Sequence, residues 1–316
     1  MYSYLLRRLA YTGVTIVGLT LIIFVLLRMV PGDVVSQMID LQSQANPRQA
    51  EELRRFFGLD QPWYVQYLTW MAGVLTGNLG LSWRLGGPVL THIVNGMSVT
   101  LELAFLATLF AAVVGIPLGV WAAVRQNRLE DSVLRLISLA GLSVPVFWQG
   151  SMLILLFSLY LRWTPPMRWI SPAADLGGNL VLMALPVVTL GTASAAVVVR
   201  MTRNALLEVL RQDYIRTAQS KGLADRVVLL RHALRNALIP VVTVTGLQMG
   251  YLLGGAVVVE EVFTLPGVGR LLLQGLTQRD YPLVQGAVLF VAVLFMLINL
   301  VTDLVYALLD PRVRYS

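Results

Sequence analysis

The sequence predicts an all-α integral membrane protein with six transmembrane helices. Two observations support this fold class. Only 13% of the 316 residues are charged, about half the share typical of soluble domains, and six long windows contain no charged residue. A helix crosses about 30 Å of hydrocarbon with roughly 20 residues, and lipid cannot satisfy free backbone polar groups, so such windows must be helical. The windows are Leu9–Leu27, Leu103–Val124, Leu136–Leu161, Leu176–Val199, Asn236–Val259 and Tyr281–Thr302.

The distribution of basic residues predicts the orientation of the spans. Six spans place 15 of the 24 Lys and Arg residues in short segments on one side of the membrane. Cytoplasmic loops carry such an excess, so we expect both the N and the C terminus to be cytoplasmic. The first apolar run is too long for a signal peptide and lacks a cleavage site after it. We therefore expect it to be retained as the first span.

A seventh charge-free window, Gln61–Trp83, is predicted to lie outside the hydrocarbon core. Its glycines, polar residues and aromatic residues suit an interfacial or externally packed helix. Counting it as a span would also split the basic residues between the two faces. Before this window, Pro47 is expected to begin a short helix and Gly58 to end it, so the segment is predicted to be folded rather than a linker.

These patterns divide the chain into four parts. We expect an N-terminal segment with the first transmembrane helix, then an external cap, a core of five transmembrane helices that includes a cytoplasmic loop at 200–235, and a cytoplasmic tail. The four parts are residues 1–30, 31–97, 98–309 and 310–316.

The composition excludes several kinds of chemistry. Cysteine is absent, and the two histidines, His92 and His232, are far apart in sequence, so neither a thiolate site nor a multi-histidine metal site is expected. The single lysine, Lys221, lies between Ser220 and Gly222, so no Gly-Lys-Ser/Thr phosphate-binding loop exists in this chain. The net charge of +7 reflects membrane topology rather than nucleic-acid binding. No cofactor or metal is expected to be bound by this chain.

The cytoplasmic segment 200–235 is the most informative part of the sequence. It holds eight basic and three acidic residues, and its centre, Asp213–Gly222, is compatible with a helix that a glycine ends. A short amphipathic helix between two spans suits docking into a groove of a partner, whereas a basic loop anchored on anionic lipid is the alternative. The apolar face is expected to consist of Ile215, Ala218 and Leu223, with Arg216, Lys221 and Arg226 beside it.

Six sequence blocks in order carry a resemblance to a known family. Arg216-Thr-Ala218-x-x-x-Gly222 resembles the EAA loop of ATP-binding-cassette importer permeases, and the whole chain is similar to the dipeptide, oligopeptide and nickel permeases, in particular to the first (B-type) permease subunit. Arg216 replaces the leading glutamate of the general motif, and the spacing from Gly222 to Pro240 is longer, as in the peptide variant. The blocks are Leu27–Asp33, Phe57–Pro62 with Gly77–Ser82, Tyr214–Leu223, Leu230–Pro240, Glu260–Gly269 with Arg279–Pro282, and Leu308–Tyr315.

The resemblance implies a type I ABC importer permease fold and a coupling helix that contacts an ATPase. It also implies the partners: a second homologous permease subunit, two nucleotide-binding ATPase subunits or domains that use ATP and Mg²⁺, and an extracytoplasmic solute-binding protein. Peptides are the first substrate class implied, with nickel chelates, glutathione and oligosaccharides as alternatives. The residues expected to act in coupling are Asp213, Tyr214, Ile215, Arg216, Thr217, Ala218, Lys221 and Gly222.

Polar residues within the spans suggest where a translocation path could run. Ser143 and Gln149 flank Pro145, where a kink is expected, and Thr243 and Gln248 lie in the glycine-rich fifth span. Helix packing is the alternative role for these groups. A membrane enzyme such as a serine protease is a distant alternative, because neither histidine lies within a span to activate a serine. A membrane-anchored assembly or signalling protein without a path is a third possibility.

Overall fold

The computed structural model describes residues 2–29, 35, 47–56, 58–166 and 168–309. The regular structure of these residues is helical, apart from one isolated β-bridge between Leu81 and Pro88. The helices are α1 (Tyr2–Met29), α2 (Pro47–Phe56), α3 (Trp63–Leu75), α4 (Val89–Val124), α5 (Leu129–Ser143), α6 (Val146–Leu161), α7 (Leu176–Leu210), α8 (Asp213–Ser220), α9 (Asp225–Val262, with a π-helical turn at Val228–Ala233), α10 (Val268–Thr277) and α11 (Tyr281–Leu309).

Five of these helices are long and apolar enough to cross a membrane. They are α1, α4, α7, α9 and α11, and α5 with α6 would make a sixth span if this bent pair is counted as one. The helix α3 has 13 residues, too few to cross the hydrocarbon, as predicted for the window Gln61–Trp83. The predicted cap helix is also present, because α2 begins at Pro47 and Gly58 follows it with a φ of 65°.

The window Leu136–Leu161 is not the single helix that the sequence predicted. The axes of α5 and α6 differ by 104°. Val144 is extended (φ −77°, ψ 125°) and Pro145 precedes the first turn of α6. Proline disfavours the helical conformation of the residue before it and lacks a backbone N–H, so the expected kink is a full break here.

The described residues form two compact units. The first consists of the described residues of Met1–Val99 and Pro266–Leu294. Its core contains the buried side chains of Val89, Ile93 and Leu283. A buried hydrogen bond of 2.6 Å, from Ser82 Oγ to Asp280 Oδ2, adds a polar contact, so the segment before α4 is fixed to the segment before α11.

The second unit consists of the described residues of Thr100–Leu265 and Phe295–Tyr315, and α7 is its most buried helix. Small residues bring neighbouring helices close to α7. A Cβ atom at Gly115 would lie 2.8 Å from Val198 Cβ, and one at Gly119 would lie 2.6 Å from Thr202 Cβ. The two glycines therefore allow the backbones of α4 and α7 to approach each other closely, as small residues do in membrane helices.

Polar contacts also join helices of the second unit. The carboxylate of Asp131, on α5, is fully buried and accepts two hydrogen bonds from the guanidinium of Arg203, on α7, at 2.7 and 2.8 Å. Thr100 Oγ1 donates to Glu260 Oε1 at 2.6 Å. Glu260 is completely buried, so this carboxylate has a structural partner at the end of α9.

Candidate functional site

The helix α8 lies between two helices that are candidate spans, α7 and α9. Gln212 precedes it in an extended conformation (φ −74°, ψ 148°), which ends the helical run of α7. Lys221 follows its last residue, and Gly222 then takes a φ of 78°. Glycine adopts this left-handed conformation without steric cost. The predicted helix and its glycine stop are thus both present.

The apolar face of α8 packs against the chain itself. Ile215 is 1% exposed and Ala218 is 7% exposed. They belong to a buried cluster whose other members come from α4, α7 and α9, namely Ala123, Ala205, Leu206, Val228, Ala233 and Ala237. Leu223, which the sequence placed on the same face, is 40% exposed. The two buried side chains therefore hold α8 in place and are not accessible to another molecule.

The opposite face of α8 is polar and exposed. The side chain of Arg216 is 74% exposed and that of Asp213 is 98% exposed, with 3.8 Å between Nη1 and Oδ1. Such a surface ion pair contributes little stability, so both charges remain available to other groups. Thr217 and Lys221 are also exposed. The outward surface of α8 thus presents charges of both signs, with Lys221 at its C-terminal end.

A side-chain hydrogen bond joins α8 to α9. Asn236 Nδ2 donates to Tyr214 Oη at 2.8 Å and, more weakly, to His232 O at 3.3 Å. Asn236 follows the π-helical turn of α9, and Val228 and Ala233 within that turn contact the apolar face of α8. The apolar contact and this hydrogen bond both connect α8 to residues 228–237 of α9.

Sequence reasoning did not identify two of the residues that support this region. Asn236 was only the first residue of an apolar window, and nothing in the sequence relates it to Tyr214, 22 positions earlier. Asp131 had a weak signal, because it is an acid within the basic segment between Arg125 and Arg135. A carboxylate in such a segment is a candidate for an ion pair with a neighbouring helix.

The four residues predicted for a translocation path do not form one cluster of hydrogen bonds. Gln149 Nε2 donates to Thr192 Oγ1 of α7 at 2.9 Å, while Ser143 and Thr243 each donate to a backbone carbonyl oxygen of their own helix. Gln248 is half-buried in α9. Within the described residues, no hydrogen bond links any two of the four.

Comparison with known proteins gives full-length similarities. A family described as binding-protein-dependent transport system inner membrane component matches residues 115–315, and a family described as the N-terminal part of the membrane component of such systems matches residues 1–104. The dipeptide transport system permease protein DppB of Escherichia coli (strain K12) is 42% identical over an alignment of 339 residues, which covers all of both chains. The glutathione transport system permease protein GsiC of Escherichia coli O6:H1 is 40% identical, again over all of both chains.

A solved structure has a similar fold. A chain of the MetNI methionine ABC transporter in an inward-facing conformation matches with a TM-score of 0.56 and 20% sequence identity. The match covers 69% of the present chain and 96% of that chain.

Proposed function

We propose that this chain forms half of the translocation path of an ATP-driven peptide importer. The chain belongs to the family of inner membrane components of binding-protein-dependent transport systems. It is a multi-pass inner membrane permease with the type I ABC importer fold. Peptides are the proposed cargo because relatives that align over the full chain at 42% identity are dipeptide and di/tripeptide permeases.

The burial of Ile215 and Ala218 is the observation that carries the coupling part of this proposal. The apolar face of α8 is packed on α7 and α9, so only the opposite, charged face of α8 is exposed. We propose that an ATPase subunit docks on this charged face. Closure of the ATPase subunits would then move α8 as a rigid lever, and the bond from Asn236 to Tyr214 would carry the movement to α9.

The proposed assembly contains a second homologous permease, two nucleotide-binding subunits or domains and an extracytoplasmic solute-binding protein. ATP and Mg²⁺ are assigned to the nucleotide-binding subunits, because the one lysine of this chain is not part of a phosphate-binding loop. The basic residues of the loops place both termini and α8 in the cytoplasm in this proposal, with the cap at 31–97 outside.

The single lysine gives a direct test of the docking surface. In the purified complex, a zero-length carbodiimide should couple Lys221 Nζ to a carboxylate of the ATPase subunit, with loss of water and formation of an amide. Lys221→Arg keeps the charge and removes the reactive amine, so it is the matched control. If the permease–ATPase product forms equally in both, Lys221 does not lie at that interface.

The coupling role is tested by substitutions on the exposed face and at the glycine stop. Arg216→Glu combined with Lys221→Glu should leave ATP hydrolysis but abolish uptake. Gly222→Pro should do the same, because proline cannot adopt a φ of 78°. Gly222→Asn is the control, since asparagine tolerates the left-handed region. Undiminished uptake by the charge-reversed or proline variant would refute the coupling role.

The path proposal concerns Ser143, Gln149, Thr243 and Gln248. Gln248 supports it best, because its half-buried amide lies in an apolar helix and forms no hydrogen bond with the described residues. Gln248→Leu should reduce uptake of short peptides without loss of thermal stability, whereas Gln149→Leu should also lower stability by removing the bond to Thr192.

The substrate class is tested by uptake into vesicles that contain all subunits. Labelled dialanine should be accumulated only with ATP and the binding protein. Glutathione is the second candidate, because a full-length relative at 40% identity is a glutathione permease. Accumulation of a nickel chelate or an oligosaccharide, without any peptide, would overturn the assignment to peptides.

A further inference from the structure

The first compact unit contains a half-open cavity of about 510 Å³ that has no role in the proposed coupling mechanism. Ligand pockets of proteins are commonly about 300–1,000 Å³. Aromatic side chains from α3, the loop after it and the start of α11 form part of its wall, together with two arginines. The lining includes Arg28, Arg55, Trp70, Trp83, Tyr281 and Gln285. No aspartate or glutamate is among the described residues that line this cavity.

Arg28 gives the cavity a positive charge. Its Nε and Nη2 both donate to Gln66 Oε1, at 3.0 and 2.7 Å, and its guanidinium lies 3.4 Å from the centre of the Phe24 ring. These partners are neutral, and in the described part of the chain no carboxylate pairs with Arg28. Guanidinium groups bind carboxylates and phosphates in preference to neutral acceptors, so the charge is available to a ligand.

Three further residues of the wall carry hydrogen-bond donors without acceptors. Trp70 Nε1, Trp83 Nε1 and Gln285 Nε2 are buried and have no partner among the described residues. Gln285 is only 4% exposed. Most buried polar groups in proteins have a partner, whereas these three N–H donors beside one cavity have none among the described residues. A donor-rich wall next to a guanidinium matches an anionic group with several acceptor positions.

We propose that this cavity binds the carboxylate of a small ligand and, resting on the proposed peptide import, the C-terminal carboxylate of a peptide. Arg28 provides the charge, and Gln285 with Trp70 and Trp83 provides the neutral donors. The aromatic walls accommodate the apolar part of a short peptide. Gln66 occupies the Nε–Nη2 edge of Arg28, so a carboxylate would take the Nη1–Nη2 edge, where Nη1 makes a long contact of 3.4 Å with Phe24 O. Most of the lining residues lie between Arg55 and Trp83, in the segment predicted to face outward, and the others are at the ends of α1 and α11.

Binding is measured on the complete permease complex in nanodiscs of phosphatidylcholine. The probes are labelled dialanine and dialanine amide, which differ only in the C-terminal group, an anionic carboxylate in the first and a neutral amide in the second. The wild type should bind the acid at least about tenfold more tightly than the amide. Arg28→Gln and Gln285→Leu should remove this preference, and Arg28→Lys should restore part of it. Arg54→Gln is the control, because Arg54 belongs to the same unit, is exposed and does not line the cavity.

Equal affinities for acid and amide, or an unchanged preference in Arg28→Gln, would overturn the proposal. Complete competition by inorganic phosphate, or loss of dialanine binding in nanodiscs that contain phosphatidylglycerol, would assign the cavity to a phosphate group instead. Melting curves of each variant show whether the fold is intact. If Arg28→Gln is unfolded, Gln285→Leu and Gln285→Glu test the same cavity, since Gln285→Glu should repel the acid and not the amide.

Transport measurements distinguish a cavity without a role in peptide binding from a chain that does not import peptides. If the wild type imports dialanine and Arg28→Gln imports it with an unchanged KM, the cavity has no role with peptides while the importer remains. If the wild type imports no peptide, the function is wrong, and the acid-over-amide preference still decides whether the cavity binds carboxylates.

Discussion

Tyr214 accepts a hydrogen bond of 2.8 Å from Asn236, and this bond joins two helices through residues 22 positions apart in the chain. Tyr214 is at the second position of α8, on the side of the exposed charges, and is itself 41% exposed. Asn236 follows the π-helical turn of α9. In the proposed coupling mechanism, this bond would carry a force from the exposed face of α8 to α9.

Tyr214→Phe should weaken coupling more than it weakens the fold. The substitution removes one hydrogen bond, which contributes about 0.5–1.5 kcal/mol to stability, and keeps the aromatic ring. We expect less peptide imported per ATP hydrolysed, with a melting temperature close to that of the wild type. Tyr160→Phe is the matched control, because Tyr160 is 78% exposed on α6. An unchanged transport-to-hydrolysis ratio in Tyr214→Phe would contradict the role of this bond.

Ile215→Ala should destabilise the part of the second unit that contains α8. Ile215 is almost fully buried among Leu206, Val228 and Ala233, and truncation of a buried isoleucine to alanine costs about 2–5 kcal/mol. Ile215→Val should cost only about 0.5–1.5 kcal/mol. The measurement is thermal unfolding of the purified complex. Leu223→Ala, at an exposed position, should have a small effect, and an equal loss in both alanine variants would argue against the packing of α8.

The location of α8 could be predicted from the sequence, whereas the residues that each of its faces contacts could not. An amphipathic run and a glycine at 222 are local signals, and they give the helix and its stop. The partners of Ile215 lie on α7 and α9, and those on α9 lie within a π-helical turn that no local pattern reveals. The amphipathic run therefore indicated an apolar face but not its partner, and the structure packs Ile215 and Ala218 of that face on other helices of the chain.

The size of the bend between α5 and α6 could not be predicted from the local sequence either. Pro117, Pro186 and Pro240 lie inside continuous helices, so a proline in an apolar window does not determine how far the axis turns. Neighbouring helices can satisfy the groups that proline frees. Six apolar windows were recognisable from composition, but the 104° angle after Ser143 depends on tertiary packing.

Asp131→Asn should lower stability through the loss of its contact with Arg203. The buried carboxylate accepts from Nε and Nη2 of Arg203, and the Arg203 side chain is 14% exposed. Hydrogen bonds to charged groups contribute about 1.5–3 kcal/mol each, and removal of the carboxylate leaves a mostly buried guanidinium without its anion. Thermal unfolding should show a clear decrease.

Arg135→Gln is the control for this ion pair. Arg135 also approaches Asp131, at 3.5 Å, but its side chain is 52% exposed, and exposed pairs contribute about 0–1 kcal/mol. If Arg135→Gln lowers the melting temperature as much as Asp131→Asn does, the contact with Arg203 is not the dominant one.

Gly119→Ala and Gly254→Ala form a matched pair for the packing of apolar helices. An alanine Cβ at position 119 would lie 2.6 Å from Thr202 Cβ and 2.7 Å from Val199 O. The second of these atoms is backbone and cannot rotate away, so α4 and α7 must separate. Overpacking of this kind costs about 1–3 kcal/mol. At position 254, no atom of the described residues lies within 4 Å of the added methyl group, apart from the adjacent residues and backbone of its own helix, and alanine is the better helix former. Gly119→Ala should therefore lower the melting temperature of the complex, and Gly254→Ala should leave it unchanged or raise it. Equal melting temperatures in the two variants would mean that α4 and α7 do not meet at Gly119.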